Sequence, residues 1–303
     1  MFFVVYLRNQ YKVAVLSRGY KRHSRGYFLA NEDSQARVIG DEPFQIKNKF
    51  PDIRVAVDEN RCHGIEQLLQ LKDPEVDVIL LDDAFQHRYV KAGINILLTD
   101  YNRLFCEDKL LPAGRLRESR KGKNRAQIVI VTKCPADIKP IDFKIISKQL
   151  DLFPFQKLYF STFQYGKLTP VFKNLEQTER ALSSIQADEQ ILLLTGIASP
   201  LTLVNELHNY TSHVDYLAFD DHHDFSAKDM ELLHERFNQI KAEKKIIVTT
   251  EKDAARLLHH PALKNELKSY LYALPIEVKI LQNQEKKFNQ NIIGYVRENK
   301  KNS

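Results

Sequence analysis

The sequence predicts an α/β protein made of two units, and three observations predict it. Short apolar runs alternate with segments of helical periodicity along the whole chain. The runs are nearly continuous in Val, Ile and Leu, as in parallel strands buried on both faces. At 303 residues the chain is long for one core and comfortable for two.

In the first unit, strands are expected at residues 12–16 (KVAVL), 53–57 (IRVAV), 76–81 (VDVILL), 94–99 (INILLT) and 126–132 (AQIVIVT). Helices are expected at 34–50 and at 60–71. The latter would bury Cys62, Ile65, Leu68 and Leu69 behind an Asn60 cap. A proline-rich, irregular stretch at 134–154 leads to connector strands at 158–163 and 170–172. Beyond it, strands at 191–194, 214–219, 245–249 and 276–281 alternate with helices at 201–209, 227–241, 253–258 and 288–297. The expected division is therefore 1–155 and 156–303, the second domain being the smaller.

Composition narrows the classes. With 43% hydrophobic and 28% charged residues, the chain falls in the range of ordinary folded proteins and outside that of disorder. The net charge of +6 is uneven: residues 8–25 hold six Lys/Arg and no acid, and residues 101–125 hold eight against three. Such clusters meet phosphates on nucleotides, nucleic acids or lipid headgroups. Nucleic acid is the least favoured of these, because Tyr and Phe do not interleave with the basic runs. The cysteines Cys62, Cys106 and Cys134 fit no zinc or disulfide spacing and suit a reducing cytoplasm. No run approaches the ~18 apolar residues of a membrane span, and no signal peptide is visible, so a cytoplasmic protein, peripheral to a membrane, is expected.

Ligands of open α/β sheets bind beyond the carboxyl ends of the strands. The first strand is followed by Ser17-Arg18-Gly19-Tyr20, and the third by Asp82, Asp83, Gln86, His87 and Arg88. Asp100 follows the fourth, ahead of a basic loop. An apolar strand ending in Asp can hold Mg²⁺ beside phosphates, since magnesium needs only one or two carboxylates. The alternative is an Asp capping the next turn. Gly40-Asp41-Glu42-Pro43 reads by itself as a turn. Asp220-Asp221-His222-His223-Asp224 suggests a metal at first sight. Adjacent side chains diverge, however, and a general-base or base-orienting histidine fits better than zinc.

Taken together the landmarks resemble the tetraacyldisaccharide 4'-kinase family. They run in order as VLSRGYKR (15–22), GDEP (40–43), DENRCHG (58–64), LLDDAFQHR (80–88), LLPAGRLRES (110–119), VTKCP (131–135), TGIASP (195–200), FDDHHDF (219–225) and TTEKDAARL (249–257). The resemblance implies transfer of the ATP γ-phosphate to the 4'-hydroxyl of a tetraacylated glucosamine disaccharide, the lipid A precursor, at the anionic inner-membrane surface. It also implies a P-loop NTPase-like first domain and a second α/β domain closing over the cleft. By motif, Asp41 resembles the residue that helps deprotonate the sugar hydroxyl, and His222 its partner. Asp82 and Asp83 resemble the acidic pair near Mg²⁺, with His87 beside them. Glu42, Arg61, Arg117 and Glu118 match positions lining the substrate and nucleotide cleft.

One departure stands out. The family's glycine-rich phosphate loop should precede the strand that ends in VLSRGY, yet only MFFVVYLRNQ stands there and no GK[ST] occurs in the 303 residues. The chain is accordingly expected to lack the first strand of its sheet, the phosphate loop and the membrane-docking helix, with residues 6–10 as that helix's tail. A truncated or mis-started reading frame is the expectation, and a reduced paralogue the alternative. A non-catalytic binder of anionic glycolipid is the competing function.

Overall fold

Val13, Ala14, Val15 and Leu16 lie in a strand with no exposed residue, the setting their continuous apolar run calls for. The computed structural model describes residues 2–172, 175, 177–221 and 223–300. His222 therefore lies outside the described residues.

The chain opens with α1 (Phe2–Leu7), β1 (Val13–Ser17), β2 (Phe28–Leu29), α2 (Ala36–Ile39), α3 (Asp41–Lys49), β3 (Arg54–Val57), α4 (Arg61–Leu69), β4 (Val78–Leu81), β5 (Ile96–Asp100), β6 (Ile128–Thr132), α5 (Pro140–Leu150) and β7 (Lys157–Tyr165). It continues through β8 (Thr169–Pro170), β9 (Gln190–Thr195), α6 (Pro200–His208), β10 (Val214–Ala218), α7 (Ala227–Gln239), β11 (Lys245–Thr250), α8 (Glu251–Leu257), α9 (Asn265–Lys268) and β12 (Leu271–Leu274). It ends with β13 (Ile276–Ile280) and α10 (Glu285–Lys300). Two units result, Met1–Gln164 with Glu277–Ser303, and Tyr165–Ile276.

The α/β class holds in both units. The first carries two four-stranded sheets, ordered β2-β3-β1-β4 and β13-β7-β6-β5. β1 is parallel to β3 and β4, and β6 to β5 and β7. β4 and β5 are edge strands of their sheets, and their apolar residues are half-buried, with Leu98 exposed. The second unit is a single sheet, β10-β9-β11-β12-β8, parallel except for β8.

Several local expectations change. The helix expected at 34–50 is two helices, because Gly40 between them has φ +92° and lies against the backbone of Gly19 and Tyr20. Asn60 caps α4 as expected, accepting from the amides of Cys62 and His63. The buried face of α4, however, is Arg61, Gly64 and Leu68 rather than the stripe through Leu69, which is exposed. Gly64 sets this rotation: a Cβ there would lie 2.9 Å from the Leu16 methyls, so the helix packs close to β1 along that line.

The stretch expected to be irregular contains α5. Pro140 is tolerated at its first position, and Asp142 accepts from the Lys139 amide. Ile146 and Leu150 then join Val129, Val131 and Phe160 in one core. The C-terminal residues expected in the second domain return to the first unit. β13 adds beside β7, and Phe288 of α10 packs edge-on to Tyr159 at 4.9 Å. The helical residues near the start are 2–7 rather than the 6–10 expected as a helix tail. Val4 and Leu7 are buried, and the Tyr6 hydroxyl donates to Glu285.

Candidate functional site

The carboxyl ends of β3, β1 and β4 lie side by side, so the segments after them form one rim. The Ser17 hydroxyl, at the end of β1, donates to Asp82 just past β4 at 3.1 Å. Gly40, immediately ahead of Asp41 and Glu42 in the first turn of α3, lies against the backbone of Gly19 and Tyr20. A side chain at Gly40 would meet those backbones at 3.2–3.3 Å and would force the two loops apart.

Arg61 projects inward from the start of α4 and is only 4% exposed. Its hydrogen bonds go to the carbonyl oxygens of Asp58 (2.6 Å) and Asp82 (3.4 Å), and its Nε is buried without a partner. Burial lowers the pKa of this guanidinium and the charge of Arg18 adds to the shift, while the charges of Asp82, Asp83 and Asp58 oppose it. A buried cation costs on the order of several kcal/mol of solvation; the nearby carboxylates offset part of that cost, and a bound anion would offset more. Two more buried polar atoms lack partners nearby, Gln86 Oε1 and His87 Nε2.

Asp82 and Asp83, paired in the sequence reading, have different surroundings. Asp83 has φ +43° and a bidentate pair with Arg117 (2.7 and 3.1 Å). Hydrogen bonding to Asp83 raises the Arg117 pKa. Glu118 accepts from Arg125 (2.6 Å) and Arg88 (2.9 Å). The bond from Arg125, followed by that from Arg88, holds its carboxyl below the usual range. Glu118 thus fastens the basic loop, and Arg117 joins that loop to the rim.

Among the described residues no group of three or more His, Cys, Asp and Glu could hold a metal. Of the two adjacent carboxylates, Asp83 has both oxygens engaged by Arg117, while Asp82 accepts from Ser17 through one.

Sequence reasoning did not nominate Ser17 or the Asp58–His63 pair. Asp58 is buried and meets His63 Nδ1 at 2.7 Å. A hydroxyl ending an apolar strand was the available signal for Ser17; for Asp58 and His63 it was the motif DENRCHG, which does not show that the two pair.

In the second unit, Asp253 is wholly buried where β9 and β11 end. Its Oδ2 accepts from the Thr250 hydroxyl (2.8 Å), the Gly196 amide (3.0 Å) and the Thr195 hydroxyl (3.4 Å). Arg256 lies 3.5 Å from its other oxygen and donates to the His223 carbonyl at 2.8 Å. His223 is committed to packing: it stacks on Phe219 and its Nε2 meets Asp229 at 2.9 Å. The His223 amide also donates to the Asp220 carbonyl at 3.0 Å.

The profile of the family described as Tetraacyldisaccharide-1-P 4'-kinase (LpxK) matches residues 1–297. A tetraacyldisaccharide 4'-kinase of Bacteroides thetaiotaomicron is 64% identical over 303 residues, covering 98% of this chain and 80% of the relative. One from Porphyromonas gingivalis is 43% identical over 300 residues, covering 97% and 82%. The fold is shared with the crystal structure of LpxK from Aquifex aeolicus in complex with ATP. That match has a TM-score of 0.70 and 24% identity over 97% of this chain and 82% of that one. The chain therefore belongs to the tetraacyldisaccharide-1-P 4'-kinase family, a family of kinases.

Proposed function

We propose that the protein transfers the γ-phosphate of ATP to the 4'-hydroxyl of a tetraacylated glucosamine disaccharide at the cytoplasmic face of the inner membrane. We also propose that the 303 residues alone do so poorly. The observation that carries the reading is Arg61, a buried guanidinium bonded only to carbonyls at the rim where parallel strands end. Such a group is suited to a phosphate.

In this reading Asp41 accepts the proton of the attacking hydroxyl as the new O–P bond forms and the bridging P–O bond to ADP breaks. His222 shares in handling that proton. Arg61 and Arg117 bind and orient phosphate oxygens, and Glu42 and His87 line the acceptor's place. Asp82, with Asp83, would hold Mg²⁺, which when bound neutralises phosphate charge. The protein's part is positioning and charge compensation, as is general for phosphoryl transfer.

No GK[ST] occurs in the chain, so the amides and lysine that cradle β- and γ-phosphates have no counterpart in its sequence. The same observation favours a second reading, a binder of anionic glycolipid. Transfer of labelled γ-phosphate to detergent-dispersed acceptor separates the two. The chain alone is expected well below the roughly 1 s⁻¹ of ordinary kinases, and joining a GK[ST] segment from a relative ahead of residue 1 should restore turnover. No restoration, with acceptor still bound, leaves the binder. Turnover near the kinase norm by the chain alone contradicts the need for the cradle.

A further inference from the structure

Within the basic loop after β5, residues 109–115 (KLLPAGR) form a knuckle whose apolar tip faces solvent. Leu110 and Leu111 are 48% and 62% exposed. The knuckle is firmly built. Leu111 and Leu116 bond through the amide of the first, Leu116 donates to the Lys109 carbonyl, and Gly114 donates to the Leu110 carbonyl, each at 3.0 Å. A Cβ on Gly114 would fall 2.2 Å from the Lys109 oxygen, so only glycine closes the turn. Asp108 anchors the base, accepting from the amides of Lys109 (2.8 Å) and Arg115 (3.3 Å) and pairing with Arg103 (2.9 Å). Lys109 and Arg115 flank the leucines, and among the described residues neither side chain enters an ion pair.

Two exposed leucines held out on a rigid turn between two unpaired cations match an anionic bilayer surface. The leucines enter the acyl boundary while the cations stay at the headgroups. We propose that this knuckle docks the protein on an anionic phospholipid bilayer. It is covalently continuous with Arg117, which meets Asp83 at the rim. Docking there holds the rim beside the headgroup layer, where a lipid acceptor presents its sugar. The link to the acceptor rests on the function proposed above; the docking itself does not.

The test uses substrate-free vesicles, so that its failure is separate from failure of the kinase reading, which is read in detergent. Cosedimentation with phosphatidylglycerol-containing vesicles is compared with pure phosphatidylcholine vesicles. Leu110→Ser/Leu111→Ser and Lys109→Gln/Arg115→Gln should each weaken binding to the anionic vesicles by roughly tenfold or more. Phe153→Ser/Phe155→Ser, which removes another exposed apolar pair, should leave it unchanged. If the double serine variant does not fold, Leu111→Ser alone gives the reading. Vesicle binding that survives loss of the leucines, ignores lipid charge, or is lost instead with Phe153 and Phe155 overturns the proposal.

Discussion

Replacing Asp41 with alanine, in a chain joined to a GK[ST] segment from a relative, is expected to lower kcat by roughly 10²–10⁴-fold with little change in KM. Asp41 sits in the first turn of α3, fixed by the close approach of Gly40 to Gly19 and Tyr20. A carboxylate that takes a proton as the oxygen attacks acts mainly in the transition state, and its loss appears in kcat. Steady-state kinetics with detergent-dispersed acceptor make the measurement. A matching loss of ground-state acceptor binding would reduce GDEP to a structural turn. His222→Ala should cost a similar factor, and the double variant little more than either single one, because groups that act as a unit are non-additive. His223→Ala should leave the chemical step near wild type, since that imidazole is stacked on Phe219 and bonded to Asp229.

Arg61→Met is expected to weaken binding of the phosphorylated disaccharide by roughly 10–100-fold, from ~1.5–3 kcal/mol for a charge-assisted hydrogen bond. The same substitution should leave the melting temperature unchanged or raise it. An arginine kept for the fold would behave in the opposite way, because breaking a satisfied buried network destabilises. Arg61 is bonded to two carbonyls and has an unpartnered Nε, so an apolar side chain of similar length relieves desolvation when no ligand is bound. Calorimetric titration and thermal unfolding on the same samples decide it. Unchanged affinity with a lowered melting temperature would make Arg61 structural.

The strands of the first unit were legible because parallel strands write themselves as continuous apolar runs. β1, β3 and β6 follow KVAVL, IRVAV and AQIVIVT to within two residues. The rim was legible for the same reason, since a strand's end locates the loop that follows it. What was missed lacked a local signal. α5 hid in a proline-rich stretch because Pro140 starts a helix as readily as it breaks one. β12, buried at all four residues in the second sheet, is too short a run to be told from a helix segment. The inward face of α4 is set by the contact of Gly64 with Leu16, which periodicity cannot see. The return of β13 and α10 to the first unit depends on Phe288 finding Tyr159, a contact across 129 residues of chain (288 − 159). In the candidate site, residue types and order were readable. The different surroundings of Asp82 and Asp83 were not, because they depend on which one Arg117 reaches.

We infer that the rim at the ends of β1, β3 and β4 binds phosphate through Arg61. Nitrogen-15 NMR of the arginine side chains during titration with the 1-phosphorylated disaccharide tests it most directly. The claim predicts that the Arg61 Nε–H, unpartnered in the free protein, shifts to lower field and becomes protected from solvent exchange as ligand is added. A titration in which that signal stays in place while the ligand binds elsewhere would contradict it.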